Sequence, residues 1–445
     1  MKNKLILIPL LSLLISAPAL VAQEQSKELN LTLKEAQEYA VTNNKLVLSA
    51  RADVMASQAA VWETIANALP QINGSGSFID NVKIGITVID GKSFGQPGTI
   101  IKAKFVQPFT SGLNIQASIL LYNAPLYIGI ETSKLVQKLS EQSLEKSEQD
   151  TKESVSSAYF LILVLEKSLE ILKGNIANLN ETLKSTRAMY AAGMAEATDV
   201  DQMVSNLTMV ENNRSSLDRT IELNYNILRF QLGVPVSTKI TLIQTLDDIT
   251  NDINIEALLS QDFNYQQNIT YKLIDGQEKI SLMNLKVQKA QNLPTLSGIY
   301  SNSETGQGQT VSSMYWSYSS YLGVQLSVPI FAGGLRNAKI NKARINYDKA
   351  RITKDLVTDQ LLMQEKQLRY NLVNANSQYK NQKDNVEVSK RVYSSMENKY
   401  KQGMASSLEL TQANQLYLQA ENNYISSLMN LLQTKLAFDK LLNNM

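Results

Sequence analysis

The reactive side chains of this 445-residue chain are few in kind: 41 Asp+Glu, 43 Lys+Arg and 19 Tyr, with neither His nor Cys. Without Cys there is no thiol nucleophile, disulfide framework, zinc cluster or iron–sulfur centre, and without His no imidazole base, Ser-His-Asp triad or haem ligand. Two carboxylates at a suitable separation could still run acid/base hydrolysis, but none stands on an evident pocket-forming loop. The sequence therefore offers no catalytic residue, no metal-ligand set and no cofactor motif. A formal net charge of +2, scattered along the chain, gives no basic stripe for nucleic acid. The sequons at Asn73, Asn180 and Asn206 read as chance matches.

Two polar elements do recur. Tyr190-Ala191-Ala192-Gly193 and Tyr400-Lys401-Gln402-Gly403 lie 210 residues apart, each closing a long Pro-free helical stretch. A tight turn between antiparallel helices calls for a residue that accepts positive φ, which accounts for Gly193 and Gly403. Asp199 follows at the start of the returning helix, where a carboxylate favours the positive end of the helix dipole.

The elements that position these turns repeat as a pair. The first copy has a helix from about Leu33 to Leu69, strand-like segments ending at Ala124-Pro125-Leu126-Tyr127, a very long helix to Tyr190 and a returning helix. The second has a helix ending at Leu293-Pro294, strand-like segments closed by Val328-Pro329-Ile330-Phe331, a long helix to Tyr400 and a returning helix. Phe230 and Phe438 hold matching places in the returning helices. The division this predicts is 1–22, 23–235 as first repeat with strands within about 71–125, 236–262 as linker, and 263–445 as second repeat with strands within about 295–331.

The long helices carry unbroken 3-4 spacing, as in Val155, Ala158, Ile162, Leu165, Leu169 and Leu172, which makes a coiled-coil seam. Each pair of shorter helices matches the length of one long helix, so the implied object is an elongated helical wall. In the strands, Leu113, Ile115, Ala117, Ile119 and Leu121 alternate with Asn114, Gln116 and Ser118, and Leu322, Val324 and Leu326 with Gly323, Gln325 and Ser327. One apolar and one polar face suits a transmembrane strand. Their partners are expected near Ile72 to Ile89 and Leu296 to Ser303. Four strands cannot close a membrane barrel, so insertion requires several chains. Trp316 with Tyr315, Tyr318 and Tyr321 suggests an interfacial aromatic belt, whereas Trp62 reads as helix packing.

Lys2 and Lys4, the apolar run Leu5 to Leu14 and the small residues before Gln23 have the layout of a secretory signal, with cleavage expected after Ala22 or, alternatively, Ala19. After Gln23 no apolar run reaches the eighteen or so residues of a spanning helix.

With these landmarks in order, the sequence resembles the TolC-like outer-membrane efflux protein family over essentially the whole mature chain. The carrying motifs are Leu69-Pro70-Gln71, Ala124-Pro125-Leu126-Tyr127, Ala192-Gly193-Met194 with Thr198-Asp199-Val200, Val328 to Gly334, and Gln402-Gly403-Met404. The resemblance implies a mainly α fold with a membrane β-barrel portion: a homotrimer with a 12-stranded barrel and a long coiled-coil α-barrel, lodged in the outer membrane and reaching into the periplasm of a Gram-negative bacterium. It implies a passive exit duct docking on a periplasmic adaptor and an inner-membrane RND- or ABC-type pump, with no enzyme activity. It also implies a periplasmic gate at Asp199, Tyr400 and Glu409, and adaptor-docking tips at Ala192, Gly193, Met194, Gln402, Gly403 and Met404. Two positions depart from the family pattern, Ala405 for an Arg that ties neighbouring chains and Gln412 for a second acidic ring. An exported structural coiled coil without a pore is the competing reading, but it gives no reason for four amphipathic strands.

Overall fold

The computed structural model describes residues 28–95, 97–251 and 254–445; the expected signal segment lies outside them. In chain order the elements are β1 (Leu29–Leu31), α1 (Leu33–Asn43), α2 (Lys45–Ala66), β2 (Gln71–Asp80), β3 (Thr87–Asp90), β4 (Ile100–Ala103), β5 (Phe109–Tyr122), α3 (Ala124–Ala191) and α4 (Ala197–Leu232). They continue with β6 (Ile240–Leu242), α5 (Leu246–Asn251), α6 (Ile255–Leu259), α7 (Ile269–Ala290), β7 (Thr295–Gly308), β8 (Tyr315–Ser327), α8 (Leu335–Lys401) and α9 (Ser407–Leu441).

Helices α3 and α8, of 68 and 67 residues, each extend about 100 Å at 1.5 Å per residue. Shorter helices run along them, α2 and α4 on α3, α7 and α9 on α8, while α3 also packs on α7 and α9. The joints between stacked helices are built alike. Asn44 caps α2 by accepting from Leu46 N at 2.8 Å and donates its amide to Gln231 O at 2.6 Å. Asn268 caps α7 by accepting from Thr270 N at 2.9 Å and donates to Leu441 O at 3.0 Å. One side chain thus satisfies orphan groups at both helix ends. Gly233 closes α4 at φ 73°, and a Cβ there would sit 2.4 Å from Asn43 O.

The single helix expected over Leu33 to Leu69 breaks at Asn44, whose extended backbone ends α1. Helix α1 then packs on α3 and α4, with Ala36 and Ala40 buried in their shared core. Within the linker expected at 236–262, β6 pairs in parallel with β1, and α5 and α6 pack against the helical wall. Tyr159, fully buried in α3, donates to Leu31 O at 3.1 Å, tying this belt to the wall. Burial pushes the Tyr159 phenol up to about 12.

The strands form one four-stranded sheet in the order β2-β5-β7-β8, antiparallel throughout. Residues paired across an antiparallel sheet share a face. The register aligns Ile72, Ala117, Tyr300 and Leu322 in one row, and Asn73, Gln116, Ser301 and Tyr321 in the next. Leu322, Val324 and Leu326 are 82%, 69% and 62% exposed, an apolar face that none of the described residues covers. On the other face Ser301 donates to Asn114 at 3.0 Å and Ser303 bonds Ser319 at 2.7 Å.

Several expectations are corrected here. The partner strand expected over Ile72 to Ile89 stops at Asp80, and Thr87–Asp90 belongs to a separate hairpin with β4. The register sends Trp316 and Tyr318 to the apolar face but Tyr315 and Tyr321 to the polar one, so only the first two fit a lipid-facing belt. Phe78 and Phe109, stacked at 6.1 Å, join them near the same end of the sheet. Trp62 is 62% exposed on α2 and belongs to no core cluster among the described residues; of the matched pair, Phe438 is fully buried while Phe230 is 77% exposed. No described helix is long and apolar enough to cross a membrane.

Candidate functional site

At the end of the wall far from the sheet, α3 turns into α4 and α8 into α9 by the same device. Met194 N donates to Met189 O at 2.8 Å and Met404 N to Lys399 O at 2.8 Å, the long bond of a glycine-terminated helix. Gly193 and Gly403 stand at φ 73° and 70°, and a Cβ at either would meet nothing within 4 Å. Their glycines serve backbone conformation, not close packing. Met194 and Met404 are 73% and 65% exposed, and Ala192 and Gln402 are exposed too.

Asp199 and Glu409 are third residues of their helices and close capping boxes. Asp199 accepts from Glu196 N at 3.0 Å, and Glu409 accepts from Ser406 N at 2.8 Å and Ser406 Oγ at 2.9 Å. Asp199 also accepts from the buried Ser407 hydroxyl at the start of α9, joining the two hairpins. The Ser407 hydroxyl, then the Glu196 amide, hold the Asp199 carboxyl below its usual range; the Ser406 amide does the same for Glu409.

Tyr400 is 5% exposed, and its hydroxyl lies 2.7 Å from Thr186 Oγ1 of α3. Thr186 already donates to Thr182 O at 2.9 Å, so Tyr400 is the donor. Tyr400 packs with Tyr393, Leu410 and Ala413, and Ala405 lies against that cluster. Ala405, where the resemblance implies an Arg, thus completes an apolar contact. Gln412 is exposed on α9. Further from the tips, buried Asn175 of α3 donates to Asn414 of α9 at 2.6 Å. Among the described residues no ion pair joins the two tips; every link between them is a hydroxyl, amide or carboxylate hydrogen bond.

The structure therefore brings Asp199 and Tyr400 into contacts between the hairpins, but leaves Glu409 with partners in its own helix start. Thr186 and Ser407, the two acceptor and donor partners, were not singled out as tip residues by the sequence. Thr186 occupies a heptad position, which hinted at burial; Ser407 carried no signal.

Two helical hairpins of this length, tied at their tips and attached to a sheet with an apolar outer face, match one known architecture. The outer membrane efflux protein model matches residues 36–234 and 280–444. The chain belongs to the outer membrane efflux protein family. It is 25% identical over 362 residues to the outer membrane efflux protein BepC of Brucella suis, covering 79% of this chain and 71% of that protein. It is 21% identical over 320 residues to the outer membrane protein TolC of Vibrio cholerae, covering 71% and 68%. Its fold is similar to the crystal structure of the Campylobacter jejuni CmeC outer membrane channel, with TM-score 0.72 at 16% identity over 92% of this chain and 85% of that one. As a member of this efflux family the chain is an outer-membrane exit duct, with its helical wall extending into the periplasm.

Proposed function

We propose that three copies of this chain form a passive duct whose tips are held closed by Tyr400 and Asp199. The observation that carries the trimer is a matched pair of unfinished edges. The sheet ends in β2 on one side and β8 on the other, neither with a further partner strand among the described residues. Beside them, α2 presents Leu48, Met55 and Trp62 at seven-residue intervals, and α8 presents Ile345, Ile352, Leu356, Met363 and Tyr370, all between 46% and 69% exposed. Joining β8 to a neighbour's β2 covers both edges at once, and three copies give twelve strands, within the range of closed barrels. The repeated element order supports a tandem duplication, 23–235 and 263–445, joined by 236–262.

In this reading Glu409 adds three carboxylates near the closed mouth, and the exposed Ala192-Gly193-Met194 and Gln402-Gly403-Met404 turns are docking points for a periplasmic adaptor that couples the duct to an inner-membrane RND- or ABC-type pump. The chain performs no chemistry, the energy coming from the pump. Planar-bilayer recording with Tyr400→Phe combined with Asp199→Ala tests the gate: larger or longer openings are expected, and unchanged conductance with unchanged antibiotic leakage in cells overturns it.

A further inference from the structure

Helix α8 carries an uninterrupted stripe of amide side chains. One column, at seven-residue intervals, is Gln360, Gln367, Asn374 and Asn381; the adjoining column is Gln364, Asn371, Gln378 and Asn385. Together they follow 4-3 spacing, and all eight are exposed. The stripe extends about 37 Å. The charged residues of the same stretch, among them Glu365, Lys366, Arg369, Lys380 and Lys383, all fall on other columns.

The surroundings of α8 account for its other faces. Leu361, Leu372, Ala375, Tyr393 and Tyr400 are buried along the seam. On one flank of that seam, Arg369 donates to Leu259 O and to Gln261 O at 3.2 Å, where the belt of connecting segments lies. Away from the seam, Ile345, Ile352, Leu356, Met363 and Tyr370 form the apolar edge assigned above to the neighbouring copy. The amide stripe occupies the flank opposite Arg369, since Gln367 and Asn374 lie about 150° from Arg369 round a seven-residue, two-turn helix. Connecting segments on the inner side, three times over, would obstruct a bore. The belt is therefore outside and the amide flank inside.

We infer that this amide rail lines the middle of the bore and passes cargo by hydrogen bonding without sorting it by charge. The inference rests on the duct reading. Each amide both donates and accepts, so hydroxyl, carbonyl and amide groups of a passing solute exchange water for equivalent partners. Fixed charges, which set ion selectivity in other pores, are absent from the stripe. Any charge preference of the duct then arises elsewhere.

The absence of native Cys makes the test clean. Asn374→Cys and, on the opposite flank, Lys383→Cys are reconstituted into planar bilayers and treated with an anionic methanethiosulfonate. Labelling at position 374 is expected to reduce conductance stepwise and shift the reversal potential toward cation preference; labelling at 383 should leave both unchanged. Gln367→Glu with Asn374→Glu should raise the cation-to-anion permeability ratio on the order of two-fold, and the corresponding Lys pair should lower it. Open channels whose conductance and selectivity ignore all these changes overturn the rail and leave the duct standing. Charged variants that fall apart into monomers place the stripe in a subunit seam and also overturn it. If unmodified protein forms no channel at all, the duct reading itself fails.

Discussion

Asp199 and Glu409 occupy the same third position of their helices, 210 residues apart, yet only Asp199 reaches the other hairpin, through the Ser407 hydroxyl. The same capping chemistry thus carries different consequences. Asp199→Asn should lengthen channel openings, because it weakens a link between hairpins. Glu409→Gln keeps a capping box and should leave open times unchanged while reducing cation preference. Single-channel recording separates the two; equal open times in wild type and Asp199→Asn would remove Asp199 from the gate.

Tyr400→Phe removes the hydroxyl that donates to Thr186 while keeping the ring in its apolar cluster. The loss should be about 1 kcal/mol, since Thr186 keeps its own bond to Thr182. In a double-mutant cycle with Thr186→Val, the two changes should be strongly non-additive. Additive unfolding free energies would mean that the 2.7 Å contact contributes nothing.

Glycines of the wall answer differently to substitution. Gly403→Ala meets open space and faces only the left-handed penalty of about 1 kcal/mol, which Asn should largely relieve. Gly233→Ala adds a clash 2.4 Å from Asn43 O, so neither Ala nor Asn is tolerated and the loss should exceed roughly 3 kcal/mol. Thermal denaturation of the four variants checks this ordering.

Acid should loosen the tips. The Asp199 carboxyl is held below its usual 3.8, so its stabilising share is complete above that value and disappears as the pH falls through the lower folded value. Open probability should therefore be flat between about pH 5 and 8 and rise below about pH 4. Other carboxylates contribute, so the diagnostic quantity is the part of the acid response that Asp199→Asn abolishes. An identical response in both proteins would locate the acid sensitivity elsewhere.

Much of this architecture is local in origin and so was legible in the sequence. Heptad spacing and the lack of Pro dictate the two long helices, positive-φ glycines their turns, and two-residue alternation the membrane strands with their apolar and polar faces. The absence of His and Cys alone removed most enzyme chemistry. Even the amide stripe is written at 4-3 spacing, in polar rather than apolar residues.

Tertiary packing decided what depends on partners distant in the chain. The break at Asn44 follows from an amide that caps its own helix and bonds Gln231, 187 residues away. Nothing local distinguishes Phe230 from Phe438; burial of one and exposure of the other depend on which helix lies alongside. Pairing of Trp316 with Gly306 settled which aromatics share the apolar face. At the tips, sequence placed Tyr400 and Asp199 near turns, but only the packing of one hairpin on the other supplied Thr186 and Ser407. A hydrogen bond is short-ranged and directional, so its partner is fixed by the approach of two helices, which no single stretch of sequence contains.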